Sequence, residues 1–111
     1  MPANDNILDR LSNFNHLDFK YKDGDKLTYE MSVKNSNISI CLEDDEIFTG
    51  HILTQYDSII LSLCDLVLGS NLIIKFLRTD LSSDKIDFYF LDSENPLVGT
   101  EFIFGKGVMT I

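Results

Sequence analysis

Asp57-Ser58-Ile59-Ile60-Leu61-Ser62-Leu63-Cys64-Asp65-Leu66-Val67-Leu68 is the stretch on which the fold turns. Ser58, Ser62, Asp65 and the following Gly69 fall four, three and four residues apart, which puts them on one helical stripe. Ile59, Ile60, Leu63, Leu66 and Val67 cover the opposite side. Asp57 or Ser58 supplies an N-cap, and Gly69 suits the position just past a helix end. The spacing predicts a mostly buried helix over 57–68. A buried strand is the competing reading of the same apolar run.

Upstream, the period is two. Leu17, Phe19 and Tyr21 alternate with Asp18, Lys20 and Lys22, and Leu27, Tyr29, Met31 and Val33 alternate with Thr28, Glu30, Ser32 and Lys34. Asp23-Gly24 between them signals a hairpin. After a turn at Asn35-Ser36-Asn37, Ile38, Ile40 and Leu42 alternate again, and Ile47 to Leu53 reads as extended. Ahead of all this, Ile7, Leu8, Leu11 and Phe14 carry helical spacing, so a first helix is expected over about 5–15, capped by Asn4, Asp5 or Asn6.

Downstream, Leu72 to Arg78, Lys85 to Leu91, Thr100 to Phe104 and Val108 to Ile111 read as strands. Asn95-Pro96 marks a loop, and Gly105-Lys106-Gly107 a tight turn. The expected fold is α+β: a single domain over 1–111 with one curved antiparallel sheet of about six to eight strands and two helices on one face. Its outer face would carry Thr28, Glu30, Ser32, Lys34, Asp87 and Tyr89.

Between Asn35 and Ile74 there is no Lys and no Arg, and Glu43-Asp44-Asp45-Glu46 sits near the middle of that stretch. Four consecutive carboxylates repel one another. As a hairpin tip between Ile38–Leu42 and Ile47–Leu53 they are screened by solvent, and a bound cation or basic partner relieves the repulsion.

Composition narrows the function. The 111 residues are 44% hydrophobic and 24% charged, which suits one globular domain rather than a disordered chain. A net charge of −9 and a pI near 4.4 argue against nucleic acid and anionic membrane as partners. The same balance favours basic proteins through electrostatic steering. The N-terminal Met1 to Asn6 lacks the basic and apolar regions of a secretory signal, and the longest apolar stretch is far short of the roughly 20 residues of a membrane span. The expected compartment is the cytoplasm.

Catalytic and metal patterns are weak. His16 and His51 are far apart, neither has a second ligand nearby, and Cys41 and Cys64 lack the paired spacing of zinc sites. Glu43 to Gly50 lacks the alternating carboxylates of an EF-hand loop. Cys41 or Cys64 with His51 would make a dyad only if a thiol left its expected core position. Gly99 to Gly107 has five residues between its first two glycines where a phosphate loop has four, and Gly107 stands where that loop needs Ser or Thr. Phe88, Tyr89 and Phe90 lie among Asp84, Asp87 and Asp92, which opposes base stacking. No enzyme activity, cofactor or metal is expected.

In size and charge alone the chain is similar to bacterial immunity proteins that block nuclease toxins. The expected function is therefore a binding protein that neutralises a basic partner by occlusion, an immunity-type inhibitor with a nuclease toxin favoured. The expected contacts are Glu43, Asp44, Asp45 and Glu46, with Asp57 beside them and Tyr56 as an aromatic anchor. The order helix, strands, helix, strands also resembles type III secretion chaperones, which implies a dimeric escort. Those usually close with a helix, whereas Phe102-Ile103-Phe104 and Val108 to Ile111 are strand-like. A DNA mimic, with carboxylates imitating phosphate spacing, shares the acidic quartet and differs in partner.

Overall fold

The computed structural model describes residues 3–21, 24–92 and 102–111. Eight strands, each antiparallel to its neighbours in chain order, close into a barrel when the last pairs with the first. They are β1 (His16–Tyr21), β2 (Lys26–Lys34), β3 (Asn37–Leu42), β4 (Asp45–Thr54), β5 (Ser58–Asp65), β6 (Asn71–Leu77), β7 (Lys85–Asp92) and β8 (Phe102–Thr110). One helix, α1 (Ala3–Leu11), precedes β1, and a 3₁₀ turn (Arg78–Ser82) joins β6 to β7.

The expected open sheet with two helices is therefore incorrect, and the error lies in the stretch 57–68. Residues 58–65 form a strand in which Ile59, Leu61, Leu63 and Asp65 point inward and are buried. Ser58, Ile60, Ser62 and Cys64 alternate with them and are only half-buried. Apolar residues on both faces hid the period of two, and the chance four-three-four spacing of the polar residues supplied a helical one. β-branched Ile59 and Ile60 favour the strand. Without this helix, the layout resembling secretion chaperones is absent.

Gly105-Lys106-Gly107 is no turn but the interior of β8. A Cβ on Gly105 would stand 2.1 Å from the Lys20 carbonyl oxygen, and one on Gly107 would stand 2.3 Å from the Phe88 ring. Both glycines let neighbouring groups approach the strand closely. The first helix is also shorter than expected, ending at Leu11. Asp23, Asn95, Pro96 and Thr100, which figured in the expected turns and strand, lie outside the described residues.

The hairpin pairing of Leu17 to Tyr29 and Phe19 to Leu27 follows the alternating pattern. All six residues expected on the outer face, from Thr28 to Tyr89, are exposed. Inside, Phe19, Phe48 and Phe90 form a fully buried aromatic group, with ring centroids of Phe19 and Phe90 4.3 Å apart. Ile7, Leu11 and Phe14, from α1 and the turn after it, are buried as well. Arg10 fastens that helix by donating from Nε and Nη2 to the Leu81 carbonyl at 2.9 and 2.6 Å. α1 and Phe14 thus plug one end of the barrel, beside the 3₁₀ turn. The turns β3–β4 and β5–β6 emerge at the other.

Candidate functional site

The end opposite the plug presents two adjacent tips of opposite character. The first is the two-residue turn Glu43-Asp44 between β3 and β4; the sequence placed the hairpin tip over Glu43 to Glu46, but Asp45 and Glu46 already belong to β4. Both residues are left-handed, with φ of 51° and 73°. That is the backbone of a tight I′ hairpin turn, which normally selects Asn-Gly. Glu43, Asp44, Asp45 and Glu46 are all exposed. The Glu46 carboxylate accepts a hydrogen bond from Ser39 Oγ. On the outer face, Cys41 pairs with Glu30 on one side and Glu46 on the other, so the negative surface continues down the barrel wall.

The second tip is the β5–β6 turn, where Leu66, Val67 and Leu68 are 48%, 71% and 77% exposed. Three consecutive large apolar side chains in water form an unusual surface for a small domain. They are held rigidly. Asp65, 5% exposed, is the one charged side chain buried among the described residues. Its Oδ1 accepts from the Val67 and Leu68 backbone N–H groups at 2.8 and 2.9 Å. Gly69 N–H donates to the Asp65 carbonyl at 2.7 Å, and Asp65 N–H donates to the Ser70 carbonyl at 2.8 Å. Gly69 closes the turn at φ 77°, a conformation that glycine adopts without steric penalty. Leu66 N–H donates to the Ile47 carbonyl at 2.8 Å, which joins this tip to the strand beginning in the acidic quartet.

The sequence reading missed Leu66 to Leu68 because a helix over 57–68 buries Leu66 and Val67. The available signal was Asp65 four residues before Gly69. It marks a single helical turn, which survives here as the β5–β6 connection.

Tyr56 and Asp57 are not part of this end. They lie in the β4–β5 turn, and the ten residues of β4 separate them from the quartet by roughly 30 Å at about 3.3 Å per residue. Tyr56 is 94% exposed at the far end of the barrel. The thiols also differ from expectation: Cys41 and Cys64 are half-buried on the outer face, not in the core. Cys64 Sγ contacts the Asp65 carbonyl at 3.9 Å, and no hydrogen bond links either thiol to His51. Among the described residues no group of three or more His, Cys, Asp or Glu is placed to hold a metal ion.

The cations lie elsewhere on the barrel. Lys26 pairs with Lys20 across β2 and β1, Lys20 with Lys106 across β1 and β8, Lys106 with Tyr89, and Tyr89 with Lys75. Beside this row, Asp18 accepts from Thr28 Oγ1 at 2.8 Å and meets Lys26 Nζ at 3.5 Å. The Thr28 hydroxyl chiefly holds the Asp18 carboxyl below its ordinary pKa; desolvation opposes it, and the Lys26 charge adds to the lowering. A depressed carboxyl adds stability above its unfolded pKa, and that stability is lost as pH falls through the folded value. Thr28→Val is expected to raise the Asp18 titration midpoint. Carboxyl-carbon NMR across acid pH checks this, and an unmoved midpoint would assign the shift to another cause.

Comparison of the chain with family models, with curated proteins and with solved structures finds no match. Among the described residues no helix is long and apolar enough to cross a membrane.

Proposed function

We propose that this chain is a small cytoplasmic binding protein that neutralises a basic protein partner by occlusion, acting as an immunity-type inhibitor of a toxin. A nuclease is the favoured target, because a cleft that holds phosphates is basic and accepts a carboxylate-rich ridge. The observation that carries this reading is the pre-organised apolar triplet Leu66-Val67-Leu68 beside four exposed carboxylates. Interfaces combine a desolvated apolar centre with a polar rim, and most binding energy comes from the centre. The carboxylates supply steering, which raises association rates toward ~10⁸ M⁻¹s⁻¹ or more at low salt. The buried Asp65 holds the loop in place, so little ordering entropy is lost on binding.

The test uses capture from host extract at low and high salt, followed by affinity measurement on the purified partner. One variant carries Glu43→Gln, Asp44→Asn, Asp45→Asn and Glu46→Gln; the other carries Leu66→Ser, Val67→Ser and Leu68→Ser. Each is expected to fold and to weaken binding by about tenfold or more, with the acidic variant losing most of the salt dependence. Unchanged affinity in both variants would remove this end of the barrel from the interface.

A further inference from the structure

Lys26, Lys20, Lys106, Tyr89 and Lys75 are far apart in sequence and consecutive in space. They form a cross-strand row over five neighbouring strands, about 19 Å long at ~4.8 Å per strand. Four of the seven lysines of a chain with net charge −9 stand in this one row. Directly opposed like charges in a sheet are destabilising. Lys26–Lys20 and Lys20–Lys106 are two such pairs in succession. Only Lys26 has a carboxylate partner among the described residues.

A cavity of about 530 Å³ lies along the row, lined by all four lysines and by Tyr89 and Val108 among others. That volume is typical of small-ligand sites. Tyr89 is 50% exposed, and Lys106 Nζ stands 5.7 Å from its ring centroid. Ammonium groups and an accessible aromatic face therefore share one hollow. Asp18 and Asp87 also line it, so among the described residues four cations stand against two anions.

We infer that this hollow binds a compact organic anion bearing a flat ring, with the lysines holding the anionic group and Tyr89 the ring. Lys20 and Lys75 provide ammonium groups free of carboxylate partners among the described residues, and an anion placed on the row relieves the Lys–Lys repulsion. The tyrosine face and Val108 supply an apolar surface for the ring. Asp18 and Asp87 accept hydrogen bonds from donors on the ligand. The same two carboxylates, with the charge of the whole molecule, repel a long polyanion and so favour a small ligand over a nucleic-acid strand. The inference is independent of the protein partner proposed above, which meets the barrel at the acidic and apolar tips.

Amide NMR titration tests it with two probes, adenosine monophosphate and 1-anilinonaphthalene-8-sulfonate, each an anion with a flat ring. Adenosine, inorganic phosphate and a twelve-nucleotide thymidine strand serve as comparisons. Saturable shifts at Lys20, Lys75, Tyr89 and Lys106 are expected with at least one of the two probes. Adenosine and phosphate alone are expected to bind more weakly than the nucleotide by about tenfold or more. Lys75→Gln and Lys106→Gln, both at exposed positions, are expected to weaken the responding probe by about tenfold each while the rest of the spectrum is retained. Three results would overturn the inference: no saturable shift on this row with either probe, binding by phosphate as tight as by the nucleotide, or a strand that binds tighter than both probes.

Discussion

Asp65→Ala is expected to lower the unfolding free energy by about 2–4 kcal/mol, because two backbone donors lose a charged acceptor. Val67 and Leu68 N–H point at Oδ1 from a part-buried position, and alanine offers them nothing in return. The loss is a large fraction of the roughly 5–15 kcal/mol that holds a domain together. Both bonds converge on the same oxygen, so Asp65→Asn retains the acceptor in place and is expected to cost under about 1.5 kcal/mol. Denaturant unfolding of the two variants separates geometry from charge. Hydrogen exchange at Val67 and Leu68 is expected to accelerate strongly in the alanine variant alone. An asparagine variant as damaged as the alanine one would show that the negative charge, not the shared acceptor, organises the tip. The alanine variant is also expected to bind the partner more weakly, since a loose apolar loop loses the benefit of pre-organisation.

Asp65 also shows where sequence reading reached its limit. The β1–β2 hairpin was legible because Leu17 to Val33 alternate cleanly and one face of each strand is wet. β5 was not, because Ile60 and Cys64 are half-buried on the outer wall and blur the alternation. Closure left no local trace: His16–Tyr21 pairs with residues more than eighty positions away. The glycines of β8 carried a structural reason that one sequence cannot display, namely the Lys20 carbonyl and the Phe88 ring crowding their missing side chains. The acidic tip was legible as a turn because solvent screens adjacent carboxylates that burial would leave repelling one another, although the last two of the four begin β4. Its apolar neighbour became visible only once 58–65 was a strand. The lysine row is purely a product of register, assembled from five strands with no motif in any of them.

Replacing Glu43-Asp44 by Asn-Gly is expected to stabilise the protein by about 1–2 kcal/mol. Left-handed backbone costs a residue with a side chain roughly 1–2 kcal/mol, glycine pays nothing there, and asparagine tolerates it better than glutamate. Glu43 and Asp44 hold φ of 51° and 73° in a two-residue turn. The substitution also halves a run of four repelling charges. For a domain of this size the gain corresponds to a rise of roughly 4–10 °C in Tm. Added salt is expected to stabilise the native chain more than the variant, since screening relieves a repulsion the variant lacks. The two effects part company at the partner: the variant is expected to be the more stable molecule and the weaker binder. Strain and repulsion held at an exposed tip are often the counterpart of function, and natural proteins frequently forgo stabilising substitutions where activity depends on the less stable residue. A variant that gains stability and keeps full affinity would reduce the acidic tip to an ordinary solvated turn and leave Leu66 to Leu68 as the sole candidate contact at that end.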